Sequence, residues 1–159
     1  MCNLGLAGTK VEGRLSVTEP LKHEQDVVAP TGYQPDWELL RLKIRSFDPV
    51  SLWSRVARDM ELLDELVDLF TEEAALMMAS IEAAVETGDA SGLYKFSHKL
   101  RGSVLQFSAS AAAGTAGKLE EMGKAGSLEG ASAAFAQLKA ETSQLVDDLK
   151  LMVCPDAAH

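Results

Sequence analysis

The chain has 159 residues, a hydrophobic fraction of 47% and a formal net charge of −9, enough material for one domain with a real core and some tail. The acidic excess falls in residues 47–159, since residues 1–46 hold six basic and six acidic side chains. Such a field disfavours nucleic acid and anionic membrane surfaces, both of which ask for a basic footprint, and leaves protein partners and small molecules. Five prolines, few aromatics and abundant Ala, Leu, Met and Glu favour helices.

Residues 1–34 mix Gly, Thr, Pro, Lys and Glu with isolated valines and hold no period of either kind, so a flexible N-terminal tail is expected there. Pro35-Asp36 then opens a short amphipathic helix with Trp37, Leu40, Ile44 and Phe47 on one side. Asp48-Pro49 combines an N-cap residue with proline at the first helical position, and predicts a second short helix to about Ala57. Asp59 caps a long helix with Leu63, Leu66, Phe70, Ala74, Met77, Ile81 and Ala84 on one stripe. Its carboxylates form a solvated face, and Thr87-Gly88 ends it.

Asp89 caps the next helix, whose apolar stripe is Leu93, Phe96, Leu100, Val104 and Phe107. His98 stands two residues before Leu100 and so points about 200° from the stripe, into water. Lys95 and Arg101 lie one turn away on either side and Lys99 is adjacent, while no Asp or Glu occurs from Ala90 to Leu119. Gly102 follows His98 by one turn. A glycine inside a helix costs about 1 kcal/mol relative to alanine, and here it would leave space over the ring. Neutral imidazole is a competent nucleophile near neutral pH, and the flanking cations would screen an attached phosphoryl dianion. Leu105, two turns after His98, falls on nearly the same face with Gln106 beside it, an apolar contact point for a partner.

Ser97-His98-Lys99-Leu100-Arg101-Gly102-Ser103 resembles the motif of histidine-containing phosphotransfer domains, in which a small residue precedes His-x-Leu-Lys-Gly and a Ser or Ala. Arg101 takes the place of the common Lys, and Ser108 stands where a second glycine is frequent. The likeness runs from about Phe47 to about Met152 and includes Phe47-Asp48, the run from Leu62-Leu63 to Phe70, and Lys118-Leu119-Glu120 with the glycines after it. It implies that His98 carries a phosphoryl group. His98 would take it from the aspartate of a receiver domain and return it to another, as one step of a multistep phosphorelay. Lys95, Lys99, Arg101, Gly102, Leu105 and Gln106 would contact the phosphoryl group or the receiver. It also implies that Mg²⁺ belongs to the partner receiver, with no cofactor in this chain. The partners would be receiver domains of hybrid histidine kinases and response regulators. The chain would be a phosphocarrier and not a free-standing enzyme. A competing reading keeps the same surface in a regulatory module that binds receivers without transfer.

After Ser108 an Ala-rich helix reaches Leu119 and Met122 and is expected to break at Gly123 and Gly126. Ser127 would cap a last helix to about Met152, with Leu128, Phe135, Leu138, Leu145 and Leu149 inward and Pro155 as its stop. The fold expected is all-α, an antiparallel up-down four-helix bundle over residues 35–153 with short N-terminal capping helices and a C-terminal tail of residues 154–159. His23, His98 and His159 are too scattered for a metal or haem site. No phosphate loop or dinucleotide fingerprint occurs, and no carboxylate is expected within reach of His98 to orient it. Cys2 and Cys154 imply no disulfide framework, and no run of residues is long and apolar enough to be a membrane span or a leader. A cytoplasmic, monomeric, independent protein is expected.

Overall fold

A computed structural model of the chain describes residues 35–154. The expected N-terminal tail, and the C-terminal tail beyond Cys154, lie outside the described residues. Among those described, the secondary structure is six α-helices and no strand: α1 Trp37–Lys43, α2 Pro49–Arg55, α3 Met60–Thr87, α4 Ala90–Gln106, α5 Ser110–Ala125 and α6 Ala131–Val153.

Four of these helices begin where a short acidic side chain says they should. Asp36, Asp48, Asp59 and Asp89 each accept a backbone N–H of the first turn, from Leu39, Val50, Leu62 and Gly92 respectively, satisfying donors that the helix itself leaves orphaned. Pro49 occupies the first turn of α2, where its missing N–H costs nothing. At the far end of α3, Gly88 adopts the left-handed conformation (φ 73°), and the Asp89 N–H returns to the Ala84 carbonyl at 2.9 Å.

The long helices pack in ring order: α3 against α4 and α6, α4 against α5, and α5 against α6. Their inner faces supply the fully buried Leu63, Val67, Ile81, Leu93, Leu100, Val104, Leu119, Leu138, Leu145, Leu149 and Met152. Phe70 of α3 meets Phe107 at the end of α4, ring centroids 4.7 Å apart. Burying a side chain of this size is worth about 2 kcal/mol, so this shared core fixes the helical phase of α4.

The small helices α1 and α2 pack on each other, with α1 also touching α6. Asp148, almost wholly buried on α6, holds the corner between them. Its Oδ2 accepts the Arg45 N–H at 3.1 Å, the Ser46 N–H at 3.0 Å and the Ser46 hydroxyl at 2.7 Å, and its Oδ1 accepts from Gln144 Nε2 at 2.8 Å.

Several sequence expectations require correction. On α3, Val67 is buried and Leu66 only half-buried, so the inner stripe is rotated slightly. Gly123 does not break α5, which runs on to Ala125. Ser127 does not cap the last helix, which starts at Ala131 behind Gly130 (φ 81°). The cause is local. Gly126 (φ 68°) ends α5, its N–H bonding to the Gly123 carbonyl while the Ser127 N–H bonds to the Met122 carbonyl. This is the Schellman pair of closing bonds, and it engages Ser127 with the helix before it. Leu128, expected inside α6, lies ahead of it and is half-buried.

Candidate functional site

The buried stripe of α4 leaves His98 on the opposite face, its side chain 65% exposed. Lys95, Lys99, Arg101, Gly102, Leu105 and Gln106 are likewise exposed, with 49% of Leu105 open to solvent. A Cβ built on Gly102 would meet nothing within 4 Å, so open space does stand one turn from the imidazole. The Nζ of Lys95 lies 5.7 Å from the centre of the Phe96 ring. The backbone carbonyl of Gln106 accepts Nη1 of Arg55 at 2.9 Å, tying α2 to the end of the histidine helix.

The expectation that no carboxylate reaches His98 is overturned. Glu120 of α5 places Oε1 at 3.0 Å from His98 Nδ1 and Oε2 at 3.0 Å from Arg101 Nη1. Its side chain is only 10% exposed. The two bonds, the one from His98 first and the one from Arg101 second, hold its carboxyl below the ordinary value of 4.5, although burial pulls the other way. An ionised carboxylate can only accept. The proton on the imidazole therefore sits on Nδ1, and in the neutral ring the free lone pair is on Nε2, the nitrogen not bonded to Glu120.

Two further residues shape the site. Tyr94, one turn before His98, stacks on the imidazole with centroids 6.0 Å apart and an interplanar angle of 23°. Gly123 lets α5 lie directly on α4: a Cβ there would collide with the Tyr94 backbone N–H, stand 2.7 Å from the Ala90 carbonyl oxygen and 2.8 Å from Tyr94 Cα. That close approach brings Glu120, three residues earlier on α5, within reach of His98.

The structure thus joins His98 and Arg101 through Glu120 and sets Lys95, Lys99, Gly102, Leu105 and Gln106 on the exposed surface of the same helix. Sequence reading missed Glu120, Tyr94 and the packing role of Gly123. The run Lys118-Leu119-Glu120 enters the sequence pattern only through the family resemblance, and a contact spanning 22 residues leaves no local signal. Among the described residues no group of three or more His, Cys, Asp or Glu is placed to hold a metal ion, and no helix is long and apolar enough to cross a membrane.

No curated protein and no solved structure matches the chain. The family model of the Hpt domain does, over residues 65–148, which takes in most of α3, all of α4 and α5 with His98 and Glu120, and α6 as far as Asp148. With more than half of its length matched, this chain belongs to the Hpt domain family.

Proposed function

We propose that this protein is a phosphorelay intermediate in which His98 Nε2 attacks the aspartyl phosphate of a receiver domain. The N–P bond forms as the acyl P–O bond breaks, and the receiver aspartate leaves as carboxylate. A second receiver takes the group by the reverse sequence. The observation that carries this reading is the solvent-facing imidazole whose Nδ1 is held by a buried, ionised carboxylate, which leaves the free lone pair on Nε2, with open space at Gly102 one turn along the helix. Positioning and charge neutralisation supply most of the rate in phosphoryl transfer. Here His98 is positioned by Glu120, Lys99 and Lys95 offer countercharge, and Leu105 with Gln106 offers a contact surface for the receiver. By family resemblance, Mg²⁺ and the remaining catalytic groups belong to that receiver.

In this reading the working unit is residues 35–153, folded as an antiparallel up-down bundle of α3 to α6. The short connections Gly88–Asp89, Phe107–Ala109 and Gly126–Gly130 between packed helices support that course. It acts in the cytoplasm as a monomer.

The test is transfer from radiolabelled phospho-receivers. Label should move to the intact protein as an acid-labile adduct and be lost with His98→Gln, whose circular dichroism should match the parent because the side chain faces water. Equal labelling of the variant would place the acceptor elsewhere.

A further inference from the structure

The family motif suggests that the cation three residues after the histidine faces the phosphoryl group directly, yet the Arg101 guanidinium is directed elsewhere. It crosses from α4 to α5 and bonds one oxygen of Glu120 while His98 bonds the other. It passes over Gly117, one turn before Glu120. A Cβ at that position would stand 3.6 Å from Arg101 Nε and 3.8 Å from both Cδ and Cζ, ordinary van der Waals distances, so Arg101 lies over this turn of α5 and a larger side chain there would meet it. Ala113 and Gly114 continue the same small-residue floor in a groove that Arg101 and Lys118 also line. The guanidinium is therefore held on two sides, by packing on α5 and by a charge-assisted bond.

We propose that Arg101 is a positioning residue: lying over Gly117, it fixes the Glu120 carboxylate in the place that keeps the His98 proton on Nδ1, and it is not the countercharge of the phosphoryl group. The role rests on the phosphotransfer reading and deepens it. Moving Arg101 to a phosphoryl group on Nε2 would strip a buried carboxylate of the guanidinium bonded to it. Nothing in the bundle requires that move, because Lys95 and Lys99 flank His98 on the exposed surface and, among the described residues, neither forms an ion pair with a carboxylate. The arrangement divides the basic cluster of α4 by function. Arg101 acts inward through α5, and the two lysines act outward.

The experiment is a cycle of Arg101→Ala, Glu120→Gln and the double variant in the full chain, read by ¹⁵N NMR of histidine-labelled protein and by transfer rate from a phospho-receiver. Arg101→Ala should lower the Nδ1–H population of His98 and slow transfer about tenfold, as loss of an orienting partner does. In the Glu120→Gln background it should add less than about twofold, because two residues acting as one unit are not additive. A loss in that background as large as in the parent, with the tautomer unchanged, would make Arg101 a direct phosphoryl contact and overturn the proposal. Gly117→Leu keeps Arg101 but fills the space in which it lies, and should reproduce the tautomer shift; an unaltered tautomer in a folded Gly117→Leu protein would show that the placement of Arg101 over α5 has no part in holding Glu120. The NMR readout needs no receiver, so a parent protein that fails to accept phosphate would defeat the phosphorelay reading while leaving the role of Arg101 towards Glu120 and His98 decided on its own.

Discussion

Glu120 and Asp148 are both buried carboxylates that join one part of the chain to another, and they do opposite work. Asp148 receives neutral donors: two backbone N–H groups, one hydroxyl and one amide, all from the α1–α2 corner or from its own helix. Glu120 receives a histidine and an arginine, both reaching in from the exposed face of α4. A carboxylate surrounded by neutral backbone groups can hold a fold and has nothing further to pass on. One that faces a titratable ring and a guanidinium on the surface fixes the state of groups that a partner can touch. Burial of a charge alone does not distinguish these cases; the chemistry of the donors does.

The largest effect should come from the structural member. Asp148→Ala leaves the Arg45 and Ser46 N–H groups and the Ser46 hydroxyl without their acceptor in a part-buried corner. Hydrogen bonds to a charged group are worth about 1.5–3 kcal/mol each, and their loss is only partly relieved by water. The expected cost is about 3 kcal/mol in urea unfolding, with transfer per folded molecule unchanged. A large fall in that specific rate would break the comparison, because it would couple the corner to the histidine.

The seam between α4 and α5 can be opened without touching either charge. Gly123→Ala puts a methyl group against the backbone of Tyr94 and Ala90, where no flexible side chain can yield, so the helices must separate. Overpacking of this kind costs about 1–3 kcal/mol. Because the same seam carries Glu120 to His98, stability and transfer should fall together in Gly123→Ala, whereas Asp148→Ala separates them. A Gly123→Ala protein with lowered stability and undiminished transfer would show that the Glu120 bond tolerates the displacement.

What could be read from sequence divides along the same line. The caps at Asp36, Asp48, Asp59 and Asp89 and the exposed phase of His98 and Leu105 follow from residues within one or two turns, and the structure places them as expected. Gly123 was misread because a glycine has the same local signature whether it ends a helix or admits a neighbour. Glu120 was missed because its partners lie on the other side of the Phe107–Ala109 turn, and the register across that turn is set by packing. Ser108 sits in that turn with φ 60°, a left-handed conformation that favours glycine. This gives a physical reason for the glycine that the phosphotransfer motif often carries at that place, and shows that serine meets the same backbone demand here at some strain.

The smallest effect is a pH dependence at Glu120. The bonds from His98 and Arg101 hold the Glu120 carboxyl below its ordinary value of 4.5 in the folded protein, against the opposing pull of burial. A carboxyl whose folded value is depressed contributes stability that is present above the unfolded value and lost as pH falls through the folded one. Removing the charge with Glu120→Gln should therefore lower stability at pH 6.5 by about 1 kcal/mol or less, since both partners are substantially exposed and such ion pairs are weak. The gap between parent and variant should shrink as pH drops below 4.5 and close once Glu120 is protonated in both folded and unfolded chains. Other carboxylates titrate in both proteins and cancel in the difference. Paired urea melts at pH 6.5 and at pH 3.5 measure it directly. A gap that stayed constant down to pH 3.5 would mean that the charge on Glu120 contributes nothing to folding, and its bond to His98 would then have to be maintained by shape alone, as an amide could do equally well.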